Sequence, residues 1–290
     1  MRRMIYFLII LVMLLGGTFY AVLQNGAAST AVLNFITPSK TFERETDLSF
    51  GDHARDKFDF YEAAEGGDDN PLLVFIHGGG WNSGDKKMYK FLAEGLTAEG
   101  YDVALPNYRL YPEVKYPAFL DDNARAIAAI HKQHPTRYLV LIGHSAGAYN
   151  VLKMGVKPEY LRAAGIESCY TVKGIVGLAS PTGGYPAKSE PTISIFPNRI
   201  QGEEAPLNHT DQALPPIMLV HGTADVTVRY ENAVKMADNL GDRATLKLYE
   251  DADHTDPIKQ FSRRFKGPIR DDVVAFIEGL PDDEGDGFCN

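Results

Sequence analysis

The chain has 290 residues, 44% of them hydrophobic and 23% charged, with a formal net charge of −9 at pH 7. That balance excludes a disordered chain, and its length suits one α/β domain of roughly 250 residues, which buries about three quarters of its unfolded surface. No basic stripe offsets the acidic excess, which argues against a nucleic-acid partner.

Arg2 and Arg3 precede Ile5–Leu23, a run of 19 residues without charge. Such a run approaches the ~20 residues that cross a bilayer and exceeds the ~7–15 of a signal-peptide core. It is apolar on every face, unlike a helix of a soluble core. Gly26-Ala27-Ala28 offers small residues where a signal peptidase cuts. Residues 1–28 therefore read as a signal peptide or as an uncleaved membrane anchor. Both place the bulk of the chain outside the cytoplasm, because the two arginines stay inside. The expected location is the cell envelope, the periplasm or the medium.

Gln24–Lys40 is small and polar-leaning, so residues 29–46 read as a linker, and residues 47–280 as the main domain. Leu48-Ser49-Phe50 and Lys57–Tyr61 alternate apolar and polar residues around Gly51-Asp52, which predicts a leading antiparallel hairpin. Residues 66–71, rich in Gly and Asp, form a turn. Leu72–Ile76 is then a continuous apolar run, as in a strand buried on both faces. His77-Gly78-Gly79-Gly80-Trp81 follows at once.

Lys87–Glu99 has helical spacing with Phe91, Leu92 and Leu96 on one face, and Gly100 is its expected C-cap. Val103–Leu105 is a short strand. Tyr108-Arg109-Leu110 leads into a corner bounded by Pro112 and Pro117, with Arg109 and Glu113 as an expected structural pair. Phe119–Gln133 is the next helix. Leu139–Ile142 is a strand, and Ala146–Met154 a helical segment. Strands at Lys173–Ala179, Ile217–Val220 and Thr245–Tyr249 and helices at Glu231–Leu240 and Ile269–Leu280 complete the alternation. That order predicts an α/β fold, with a mostly parallel sheet covered on both faces.

Ser180–Pro215 holds six prolines and several glycines, so no amphipathic helix beyond about two turns fits there. It reads as a small irregular lid, residues 181–215. Asn208-His209-Thr210 matches a glycosylation sequon, which matters only in a eukaryote. Residues 281–290 form a loose acidic tail. Cys169 and Cys289 suit an oxidising compartment and are able to pair, although no local spacing supports the bond. Metal-binding spacings and glycine-rich phosphate loops are absent, so no metal and no cofactor is expected.

Gly143-His144-Ser145-Ala146-Gly147 joins a strand to a helix. This is the Gly-x-Ser-x-Gly pattern of a nucleophile elbow in its required setting. A serine hydroxyl needs a base, and the base an orienting carboxylate, which this scaffold supplies later in the chain in the order acid, then histidine. Asp225 lies just past the Ile217–Val220 strand, and His254 just past Thr245–Tyr249. Asp251 and Asp253 are rivals for the acid and read as loop carboxylates. His77, His144 and His221 are rivals for the base and read as structural braces. The N–H groups of Gly79, Gly80 and Ala146 are the expected oxyanion donors. Trp81 and Tyr185 are candidates for the substrate pocket, as are Tyr170 and Phe196, though Trp81 equally suits packing beneath its loop.

Residues 72–260 resemble an α/β-hydrolase, and within that superfamily the hormone-sensitive-lipase and carboxylesterase group. The resemblance rests on residues 77–81, 143–147 and 221–225 and on Tyr108–Glu113 followed by Pro117-Ala118 and Leu120-Asp121-Asp122. It implies a cofactor-independent hydrolase of small-molecule esters, with Ser145, Asp225 and His254 as its triad. Arylformamidases share these motifs and cleave a C–N bond by the same acyl-enzyme route. A non-catalytic binding protein on this fold is the third reading, although such proteins typically lose a triad member. The chain lacks the helical N-terminal cap of lipase-like relatives, which argues against large lipid substrates.

Overall fold

The computed structural model describes residues 26–66, 70–183, 190–197, 202–211 and 213–281. The apolar run Ile5–Leu23, Tyr185, Cys289 and nearly all of the acidic tail lie outside them. Cys169 is disulfide-bonded.

One eight-stranded sheet runs through the domain. Its strands are β1 (Phe42–Ser49), β2 (Lys57–Ala63), β3 (Leu72–Ile76), β4 (Val103–Pro106), β5 (Leu139–His144), β6 (Val172–Leu178), β7 (Ile217–Gly222) and β8 (Ala244–Tyr249). They lie in the order β1-β2-β4-β3-β5-β6-β7-β8. β1 and β2 form the antiparallel hairpin expected, β2 runs antiparallel to β4, and every later pairing is parallel.

The central strands are apolar throughout because each faces two cores. Leu72, Val74 and Ile76 of β3 enter one core, and Leu73 and Phe75 the other. Leu139 and Leu141 of β5 and Ile217 and Leu219 of β7 join the first; Val140, Ile142, Met218 and Val220 join the second. A two-residue side-chain period on strands covered by helices on both faces produces this division.

The longer helices are α1 (Gly26–Ile36), α2 (Lys90–Thr97), α3 (Ala118–Gln133), α4 (Ala146–Val156), α5 (Glu231–Leu240) and α6 (Pro268–Glu278). Apolar residues of α3, α4 and α5 build the first core, and those of α1, α2 and α6 the second. α1 corrects the linker reading of residues 29–46, since its helix and the start of β1 occupy most of that span. Its buried residues Thr30 and Leu33, with buried Thr37 just past its end, follow a three-then-four spacing along one face. Thr30 and Thr37 are polar, which hides the periodicity from a hydrophobicity count.

Arg109 and Glu113 do not pair with each other. Arg109 instead binds the fully buried Asp122 with two guanidinium donors and its own backbone N–H. Arg125, one helical turn along α3, adds a further donor to the same carboxylate. Glu113 meets His53 Nε2 at 2.6 Å. Arg109 is the stronger partner for Asp122 because its planar fork matches both carboxylate oxygens.

Candidate active site

Four loops meet at the carboxyl end of the parallel strands, where ligands of such sheets bind. β3 delivers residues 77–84, β5 delivers Ser145, β7 delivers Asp225 and β8 delivers His254.

Ser145 sits between β5 and α4 with φ 54° and ψ −117°, a strained geometry for a residue bearing a Cβ. Its neighbours are glycines because the turn leaves no room for anything larger. A Cβ on Gly147 would fall 2.0 Å from the Ile76 carbonyl oxygen, and one on Gly143 would fall 2.3 Å from that of Gly147. Ser145 N–H donates to the Leu178 carbonyl at 2.9 Å, tying the turn to β6.

Ser145 Oγ lies 3.0 Å from His254 Nε2, and His254 Nδ1 lies 2.7 Å from Asp225 Oδ2. With the Nδ1 proton donated to the carboxylate, Nε2 presents its lone pair to the serine hydroxyl. The Asp225 carboxylate is buried. Burial alone would raise its pKa, but donors from His221, His254 and the Val228 N–H overcome that and hold it well below the ordinary carboxylate range. The N–H groups of Thr227 and Val228 each reach Oδ1 at 2.8 Å.

The other histidines brace this arrangement. His221 Nε2–H points between Asp225 Oδ2 at 3.1 Å and the Val228 carbonyl at 2.8 Å. His144 Nε2–H donates to the His254 carbonyl at 2.8 Å, a cross-tie between the β5 and β8 loops. Burial and the neighbouring His254 push the His144 pKa down to about 3, so the ring is neutral. His77 donates from Nδ1 to the Gly78 carbonyl at 2.8 Å and takes an Arg55 N–H at Nε2. Burial, with the Arg55 charge beside it, lowers its pKa to about 4. Asp251 and Asp253 stay in the loop before His254, where Asp253 accepts from the Thr255 and Asp256 N–H groups.

Gly79 has φ 121°, a conformation open to glycine, and a Cβ there would lie 2.2 Å from the Ser83 carbonyl oxygen. Gly80 follows at φ 59°. The Gly79 carbonyl accepts from Asn82 N–H, Ser83 N–H and Ser83 Oγ–H. Among the described residues, the N–H groups of Gly79, Gly80 and Ala146 donate to no backbone carbonyl outside the regular elements. Ala146 N–H is also the first amide of α4, at its partially positive end.

Arg55 and Tyr108 hold this loop, and nothing in their sequence spacing pointed to the role. Arg55 Nε donates to the Tyr108 carbonyl at 2.7 Å and its Nη2 to the Gly84 carbonyl at 2.9 Å. Tyr108 Oη donates to the His77 carbonyl at 3.0 Å, and its ring stacks on His77.

A cavity of about 600 Å³ opens over Ser145. Gly78–Trp81, Met88, Tyr89, Thr192, Val228, Ile258 and Thr30 line it with Ser145 and His254. Among the described residues that line it, none is Lys, Arg, Asp or Glu. Trp81 both lines the cavity and packs: it is 2% exposed, and its indole N–H donates to Asn150 Oδ1 at 2.9 Å. Phe196 stands edge-on to Trp81 and is buried, so it supports the wall from behind. Tyr170 is exposed and away from the cavity.

The described parts of the lid are tied to α4. Tyr149 Oη donates to the Glu204 carbonyl at 2.6 Å, Lys153 Nζ donates to the Glu203 carbonyl, and Lys157 Nζ pairs with the Glu203 carboxylate at 2.9 Å. Among the described residues there, the helices are short, Thr192–Ile195 and the 3₁₀ turn Pro206–His209.

The fold and the elbow geometry define the class of this chain: it has the α/β-hydrolase fold. The BD-FAE family profile matches residues 58–184 and a TAP-like protein profile matches residues 197–263. Among curated proteins, the chain is similar to the isoprenylcysteine alpha-carbonyl methylesterase of Arabidopsis thaliana, 25% identical over 81% of this chain and 62% of that protein. It is also similar to the kynurenine formamidase of Danio rerio, 23% identical over 74% of this chain and 75% of that protein. Esterase B of Lactobacillus rhamnosis shares the fold with a TM-score of 0.70 at 18% identity, over 89% of this chain and 95% of that one. The chain spans about three fifths of the length of the methylesterases it matches.

Proposed function

We propose that the chain is a serine hydrolase that cleaves small, uncharged carboxylic esters through an acyl-enzyme intermediate. The observation that carries this is the unbroken hydrogen-bonded line from Ser145 Oγ through His254 to buried Asp225, set in the floor of a cavity whose described lining holds no Lys, Arg, Asp or Glu.

Ser145 Oγ attacks the ester carbonyl carbon while its proton passes to His254 Nε2. The Asp225 carboxylate stabilises the imidazolium that forms. The carbonyl oxygen becomes an oxyanion, held by the N–H groups of Gly79, Gly80 and Ala146. Each such donor contributes on the order of 3 kcal/mol in comparable sites. The intermediate collapses, the C–O bond breaks, and His254 returns the proton to the departing alkoxide. Water then attacks the acyl group, giving one proton to His254. Collapse of that second intermediate releases the carboxylic acid, and Ser145 regains its hydrogen.

A series of short p-nitrophenyl and methyl esters, assayed with the full chain, tests the reading. Turnover is expected, together with covalent labelling of Ser145 by a fluorophosphonate probe. Absence of both would leave the binding-protein reading. The resemblance to formamidases supports cleavage of an aryl formamide as the second reading. The ratio of rates on N-formylkynurenine and phenyl acetate separates the two.

Export or anchoring by residues 1–28 is part of the same proposal, supported by the charge-free run Ile5–Leu23 behind two arginines. Expression of the full chain with a C-terminal tag, followed by fractionation, is expected to place it in the envelope or medium. Recovery solely in the cytosol would overturn this.

A further inference from the structure

We propose that Thr30 is a specificity-determining residue: α1 carries it into the wall of the Ser145 cavity, where it limits the size of the group the site admits. This rests on the reading of Ser145 as the nucleophile. Residues 26–36 precede the BD-FAE profile match, which begins at residue 58, yet Thr30 lines the same cavity as Ser145, His254 and the glycine loop. It stands there with Met88 and Tyr89, neighbours in one segment, and with Ile258 from a second.

The placement is held firmly. Leu33, one turn along α1, is 3% exposed and lies in the second core. Asn34 forms a double bridge to the segment behind the cavity: its Nδ2 donates to the Lys87 carbonyl at 2.7 Å, and its Oδ1 accepts the Phe91 N–H at 3.1 Å. Lys90 Nζ closes the far end by donating to the Thr37 carbonyl at 2.9 Å. These bonds join α1 to the stretch that also supplies Met88 and Tyr89, so that wall of the cavity moves as one body. A wall fixed this way discriminates by size, because a rigid apolar surface does not retreat from an extra methylene.

The consequence is a steric rule for this chain's substrate. The uncharged lining selects neutral groups, and the Thr30 wall sets how long or broad they are. The test is a kcat/KM profile over p-nitrophenyl acetate, butyrate, hexanoate and octanoate with the full chain and three variants. Thr30→Phe is expected to lower the hexanoate-to-acetate ratio by roughly tenfold or more, mainly through KM. Thr30→Ala is expected to move the optimum to longer chains, and Asn34→Ala, which frees α1, to flatten the profile. A merely structural role for Thr30 would scale all four esters together. Parallel profiles for Thr30→Ala and the wild type would therefore overturn the proposal, even if Thr30→Phe fails to fold. If the wild-type chain turns over none of the esters and resists the phosphonate, the ester-hydrolase reading falls and this one with it.

Discussion

Ser145→Ala is expected to lower kcat on a short p-nitrophenyl ester by roughly 10⁴-fold or more while leaving the fold intact. The substitution removes one oxygen from a half-buried position, and the Ser145 backbone keeps its bond to Leu178. What disappears is the covalent route. The residual rate would come from the Gly79, Gly80 and Ala146 amides polarising a bound ester for attack by water. The measurement is kcat at saturating substrate, alongside loss of fluorophosphonate labelling. A variant retaining a tenth of the wild-type rate would remove Ser145 from its role.

Asp225→Asn is the second large effect, with an expected fall in kcat of roughly 10⁴-fold. The carboxylate now accepts the His254 Nδ1 proton at 2.7 Å. An amide NH₂ at that position would present a donor to Nδ1 and favour the opposite tautomer, placing a proton on Nε2 where Ser145 needs a lone pair. The same change alters stability against acid. The folded pKa of Asp225 lies below its unfolded value, so the group contributes stability that is present above about pH 3.9 and lost as the pH falls below it. Urea titrations from about pH 6 to pH 3 are expected to show a steeper loss for the wild type than for Asp225→Asn. Equal slopes would mean that the native carboxylate is not held in its charged form.

The parallel core was legible because its chemistry is local and repetitive. Leu72–Ile76 and Leu139–Ile142 are apolar at every position, and such runs between helical segments define buried strands. Ser145, Asp225 and His254 were legible because the scaffold fixes their order, and the structure brings those three side chains together. The residues that steady them were not. Arg55, Tyr108 and Asn150 act through hydrogen bonds to partners 22 to 69 positions away, with no spacing to betray them. For Arg109 the carboxylate nearer in sequence, Glu113 four residues on, is not the partner, whereas Asp122, thirteen residues on, is. Only the burial of Asp122 decides between them.

α1 is the element least visible in the sequence, because its first six residues, Gly-Ala-Ala-Ser-Thr-Ala, are small or polar and its larger apolar residues fall only in the second half. Its position bears on the order of events after synthesis. Gly26-Ala27-Ala28 opens α1, and a processing peptidase acts on extended chain. A helix of 11 residues is marginal in isolation and draws its persistence from Leu33 and Asn34 seated on the domain. If residues 1–28 are a signal peptide, a cut at Ala28 would therefore be in a race with docking. Before the domain folds that bond would be open to attack, and once α1 is seated its first turn would shield it.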